Sequence, residues 1–99
     1  MGIKHTPGPW SYDHGILPPD GPGRYSTVSA DGDVVIAEVN DLISEGIANA
    51  CLIVAAPDML TALETVLAGG HLNTGEQAIV ANAIAKATGR NVVDVVKGS

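Results

Sequence analysis

The sequence predicts an α+β fold: a three-stranded antiparallel β-meander followed by a Pro57-kinked helix pair and a third helix. Three observations carry this expectation. Two β-branched runs, Tyr25 to Ala30 and Val34 to Val39, flank Asp31-Gly32, a dipeptide suited to a tight hairpin. The longest apolar stretch, 49–63, places apolar residues at helical spacing on both sides of Pro57. Thr74-Gly-Glu-Gln77 has the pattern of a capping box at a helix start.

Taken in order, His5-Thr-Pro-Gly-Pro-Trp10 excludes helix, because each proline fixes its own φ and restrains the residue before it. Trp10 reads as a structural anchor on the core whose indole N–H finds an acceptor. Trp10 to Asp13 reads as a short first strand. Residues 14–23, with three prolines and three glycines, are a loop by composition. A loop of this length in a small domain is variable surface or a functional element. In the last strand Val35, Ala37 and Val39 alternate with Val34, Ile36 and Glu38. Both faces are substantially apolar, so this strand is expected to be central in its sheet or to meet another chain.

Asn40-Asp41 ends the sheet, and Asp41 or Ser44 can cap the next helix. Its first arm carries Ala48, Leu52, Ala55 and Ala56 at helical spacing; its second carries Met59, Leu60, Leu63, Val66 and Leu67. Proline removes a backbone donor and crowds the carbonyl of Ile53, so a kink or short break is expected near Ala56–Pro57. Asp58 then stands at the positive start of the second arm, and Gly69-Gly70 ends it. An alanine-rich helix follows over Ala78 to Ala87, with Val80, Ala83, Ile84 and Ala87 on one face and Gly89 at its close. The tail 91–97 is rich in β-branched residues, and an edge strand is preferred there over a helical extension. The chain reads as one domain over 1–99, with a sheet part 5–39, a helical part 42–89 and a tail 90–99.

Composition narrows the function classes. The chain of 99 residues has an apolar fraction of 45%, enough for one modest core. It has no Phe, one Trp and two Tyr, so that core is aliphatic and thin, which favours self-association as a homodimer. Eleven Asp/Glu against five Lys/Arg give a net charge of −6. Gripping a phosphate backbone needs clustered Lys and Arg, so direct nucleic-acid binding is not expected. An acidic surface suits a basic protein partner or plain solubility. The single Cys51 excludes an internal disulfide and reads as a small buried hydrophobe in an intracellular protein. The N-terminus lacks the apolar run of a signal peptide. The longest apolar stretch, interrupted by Pro57 and Asp58, falls short of a membrane span, and no membrane association is expected.

No constellation of catalytic residues emerges. His5, His14 and His71 do not share a metal-binding spacing, and no Cys/His cluster joins them. No serine sits on a nucleophile elbow. Asp13, Asp20, Asp31 and Asp33 crowd the sheet-end loops, where turn chemistry accounts for them more simply than acid–base work does. Gly21-Pro-Gly23 and Gly69-Gly70 lack a phosphate-binding or dinucleotide fingerprint, so no cofactor is implied. Asn49 is the polar residue in the apolar helix, and it reads as a structural side chain bonding neighbouring backbone, as Pro57 reads as the structural bend.

The blocks His5-Thr-Pro-Gly-Pro-Trp10, Val35-Ile-Ala-Glu-Val39, Ala48-Asn-Ala-x-Leu-Ile53, Ala55-Ala-Pro-Asp-x-Leu-x-Ala-Leu63 and Ala83-Ile-Ala-Lys-Ala87 occur together. In this the chain resembles a group of small proteins encoded by tailed phages and bacterial prophages, over residues 5–89. It departs from that pattern at Cys51, where a long polar or basic side chain is expected, and in the tail after Gly89. The resemblance implies a phage context and a small α+β domain, and supplies no catalytic residues. The expected function is therefore that of a non-enzymatic phage accessory protein in the cytoplasm of the bacterial host. It would bind a host protein and antagonise a host defence. Its expected contact surface is the 14–23 loop with the acidic hairpin end: Asp20, Arg24, Tyr25, Asp31 and Asp33. Two other classes stay open. One is an oligomeric sponge for a nucleotide signal, which needs Lys4, Arg24 and Arg90 to converge on phosphates. The other is a structural or assembly factor whose apolar helices join partner helices.

Overall fold

The computed structural model describes residues 4–16, 25–31 and 33–97, with side chains outside that description at 14–16. Three strands, β1 (Ser11–Ile16), β2 (Tyr25–Ala30) and β3 (Val34–Asn40), precede three helices, α1 (Gly46–Ala68), α2 (Thr74–Thr88) and α3 (Val92–Val96). The strands form one antiparallel sheet in the order β1-β2-β3. The expected α+β class, a meander followed by helices, is the class the chain adopts. Two compact units arise, Thr6–Asp58 and Met59–Ser99 with Met1–His5, and each has its own apolar cluster.

In the first unit Val28, Val39 and Ala50 are buried, with Trp10, Tyr12, Ile36, Ala37, Ile53 and Val54 packed around them. Alternate β2 residues Ser26, Val28 and Ala30 are buried, as a strand with one face on a core requires. Trp10 is half-buried, and its indole N–H donates to the Thr6 carbonyl at 3.2 Å. Pro57 sits beside Gly8, where a Cβ would lie 3.2 Å from the proline Cβ. In the second unit Leu60, Ala81, Ile84, Ala85 and Val95 are buried, with Leu63, Leu67, Val80 and Val92 against them.

Several sequence expectations need correction. Pro57 lies inside a single helix assigned from Gly46 to Ala68, so Asp58 is mid-helix and starts no new arm. Proline requires only that one hydrogen bond be given up, and packing on both sides keeps the helix. The buried side of α1 is Ala50, Ile53, Val54, Leu60, Leu63 and Leu67; Ala48, Leu52, Met59 and Val66 face outward. A helix apolar nearly all round gives periodicity no means of choosing its buried side.

The first strand runs on to Ile16, so the expected 14–23 loop loses its first three residues to β1, and 17–24 lie outside the described residues. β3 is an edge strand and β2 is central. The apolar pattern on both faces of β3 comes from a register shift opposite Val28/Ser29, where Ile36 is the extra residue. The α2 cap is Asn73, one residue earlier than Thr74. Its side chain accepts from the Glu76 N–H at 2.8 Å, and Glu76 accepts from the Asn73 N–H at 3.0 Å. The buried face of α2 is Ala81, Ile84 and Ala85, while Ala83 and Ala87 are exposed. Gly89 closes the helix in the left-handed region at φ 69. The tail is helical: Asn91 caps α3 by accepting from the Val93 N–H at 2.9 Å, and Val95 is buried in the second cluster. Burial of Val95 outweighs the β propensity of the valine run.

Candidate functional site

At the β3–α1 junction three residues are locked together. Ser26 is fully buried, and its hydroxyl donates to the Asp41 carboxylate, 2.9 Å from Oδ1 and 2.8 Å from Oδ2. Gly46 begins α1 where a Cβ would stand 2.5 Å from the Asn40 carbonyl oxygen and 2.7 Å from Asp41 Oδ1. Sequence reasoning placed Asp41 only as a cap. What it missed was Ser26, whose alternation with Val28 and Ala30 on β2 marks an inward hydroxyl in need of an acceptor. The junction is enclosed and serves the fold.

The expected contact residues separate along the sheet. Asp31 and Asp33 are exposed in the β2–β3 turn, where Asp33 takes φ 60. Asp residues tolerate this left-handed conformation better than most side chains do. Val34 and Val35, the next two residues, are exposed as well. Tyr25 is half-buried at the other end of β2, paired with Ile16 and Asn40, and is not brought to the acidic turn. Asp20 and Arg24 lie outside the described residues. Asn49 is exposed on α1.

Cys51 is exposed as well, contrary to the buried position expected of it, because it lies one residue round the helix from buried Ala50. It is the hydrogen-bond partner of Tyr12. That bond holds the phenol proton and raises the Tyr12 pKa above the ordinary 10.0; the negative charge of a Cys51 thiolate and partial burial act in the same direction. Arg90 donates from Nη2 to the Asp94 carbonyl at 3.3 Å. It also lines an open depression of about 260 Å³ with Glu64, Gln77, Ile84 and Val95. Among the described residues no group of three or more His, Cys, Asp or Glu is placed to hold a metal ion.

α1 also exposes apolar side chains. Ile47, Leu52, Met59 and Val66 are all exposed along it. Because one helix runs through Pro57, its 23 residues are long and apolar enough to cross a membrane by length and composition, with a mean hydropathy of 1.6 over 18 of them. The expectation that this stretch falls short of a span is corrected on length.

A family model described as Salmonella phage P22 protein Y8K6 matches residues 1–91. The chain belongs to this phage protein family. The match takes in every element from β1 to the end of α2. No significant match was found among curated proteins or among solved structures.

Proposed function

We propose that this member of the phage family is a non-enzymatic accessory protein that binds a basic protein of the bacterial host, in the host cytoplasm, and so blocks a host defence. The observation that carries the reading is the exposed β2–β3 turn, which offers the carboxylates of Asp31 and Asp33 beside the apolar Val34 and Val35. An apolar centre with a charged rim is the usual make-up of a protein contact. The net charge of −6 selects a basic partner and speeds its encounter. Membership of a phage protein family supports the setting.

The test is affinity capture from host lysate with the wild-type chain and with Asp31→Lys/Asp33→Lys. A host protein retained by the wild type and lost on charge reversal, with an unchanged melting curve, supports the reading. Capture that is indifferent to the reversal removes the acidic turn from the contact. Substrate turnover by the purified chain would overturn the non-enzymatic assignment.

A further inference from the structure

The open depression around Arg90 is assembled wholly from residues of the unit Met59–Ser99. Glu64 and Leu67, one turn apart, line it from the end of α1, and Gln77 and Ile84, two turns apart, line it from α2. Val95 lines it from α3, and Arg90 from the link between α2 and α3. Its floor is apolar, since Ile84 and Val95 are buried and Leu67 is half-buried. Its polar groups are of three kinds: a guanidinium, a carboxylate and a primary amide.

Arg90 is half-buried, yet among the described residues its guanidinium makes no ion pair and donates only to the Asp94 carbonyl, at 3.3 Å. A guanidinium offers five donors in a planar fork that fits a carboxylate two at a time, so most of its capacity is unused. Glu64 stands just ahead of the last turn of α1, the negative end of the helix dipole, and that turn holds no Lys or Arg to offset it. One depression therefore offers a place for an anion and a place for a cation, with an apolar floor between them. Gln77, half-buried, has a donor and an acceptor for either end of a ligand.

We propose that this depression binds a small apolar α-amino acid, its carboxylate on Arg90, its ammonium towards Glu64 and its side chain on Leu67, Ile84 and Val95. An apolar hollow with a few convergent polar groups is the usual make-up of a small-molecule site. The volume of about 260 Å³ falls below the ~300–1,000 Å³ of drug-sized ligand sites, which suits a ligand the size of leucine and excludes a nucleotide. A phosphate ester or dicarboxylate would meet the negative charge of Glu64, and a simple amine would leave Arg90 unmatched. The site uses no residue of the acidic turn, so this proposal and the proposed host partner stand or fall separately.

Proton–nitrogen NMR spectra of the intact chain, titrated with L-leucine into the millimolar range, test the proposal. Saturable shifts are expected at the backbone amides of Gln77, Ile84, Arg90 and Val95, while those of Asp31 and Asp33 stay in place. Glycine, which lacks the apolar side chain, and leucinamide, which lacks the carboxylate, should each bind at least about tenfold more weakly. The ammonium counts for less because Glu64 is exposed, so 4-methylpentanoate should lose about two- to fivefold. Arg90→Gln should weaken leucine at least about tenfold with an unchanged melting curve. Ile79→Ala, on the exposed side of α2, should bind as the wild type does. The ligand series is run on the wild-type chain, so it decides the matter even where a variant fails to fold. A titration without saturable shifts, shifts that map elsewhere, or glycine or leucinamide binding as tightly as leucine would overturn the proposal. So would a folded Arg90→Gln chain with unchanged affinity, or N-acetyl-leucine bound in place of free leucine, the pattern of a site for a protein C-terminus.

Discussion

Gly46→Ala puts the local geometry to its sharpest test, because two rules disagree about its sign. Alanine is a better helix residue than glycine by up to about 1 kcal/mol, so propensity alone predicts a gain. The structure predicts a loss. The new methyl carbon would stand 2.5 Å from the Asn40 carbonyl oxygen, 2.7 Å from Asp41 Oδ1 and 2.9 Å from Asp41 Cα. Two of those atoms are backbone, and the carboxylate is held by Ser26, so no flexible side chain can swing away. The β3–α1 turn must move, at an overpacking cost of about 1–3 kcal/mol. That movement draws Asp41 from the buried Ser26 hydroxyl, which costs a further ~1–3 kcal/mol if no acceptor replaces it. Set against a propensity gain of up to about 1 kcal/mol, the net loss is about 1–5 kcal/mol, or a fall in Tm of at least roughly 4 °C. Urea and thermal melts read it directly. In a Ser26→Ala background the same substitution should cost less, by the share that belonged to the hydroxyl. A Gly46→Ala chain as stable as the wild type would refute this account of the junction.

Two further predictions concern single sites. Ile84→Ala, at a residue 1% exposed among Leu60, Ala81, Ala85 and Val95, should cost about 2–5 kcal/mol in a urea melt. Ile79→Ala, on the exposed side of the same helix, should stay within about 0.5 kcal/mol of the wild type. Cys51→Ala should lower the Tyr12 pKa towards 10.0, as followed by tyrosinate absorbance against pH, because the bond that holds the phenol proton is gone. A phenol whose pKa is raised by folding stabilises the fold fully below its unfolded pKa and loses that contribution as pH climbs through the folded value. The stability of Cys51→Ala should therefore fall less steeply than that of the wild type on the alkaline side of pH 10.0.

The elements of this chain were legible where a local signal had no competitor. Asp31-Gly32 between β-branched runs marked the hairpin, and Gly69-Gly70 and Gly89 marked helix ends, the latter because few other residues suit the positive φ that Gly70 and Gly89 adopt. The buried side of each helix was not legible. In α2 alanine stands at 78, 81, 83, 85 and 87, and a residue that suits both a core and a surface gives no direction. In α1 Ala48/Leu52/Ala55 and Ala50/Ile53/Val54 are equally apolar, and only contact with the sheet decides between them. The tail failed for a different reason: propensity described the valines correctly but could not foresee the Asn91 cap or the site for Val95. As for the candidate surface, Asp31 and Asp33 followed from the turn. Tyr25 did not, since six residues of extended strand carry it to the opposite sheet end, about 17 Å away.

The edges of the sheet are shaped against pairing with a second copy. Among the described strands β1 and β3 each have one neighbour, and β3 shows Val34 and Val35 to solvent, which invites edge-to-edge pairing. Yet each outer ladder is irregular. β1 shifts register between Asp13 and Ile16, and β3 gains its extra residue at Ile36. An added strand would have to reproduce those interruptions, so neither edge is an easy template, and the turn carboxylates at Asp31 and Asp33 repel a second copy of the same sheet. A chain that blunts its sheet edges in this way discourages edge-to-edge pairing. The acidic turn remains the surface on which the proposed basic partner is to be tested.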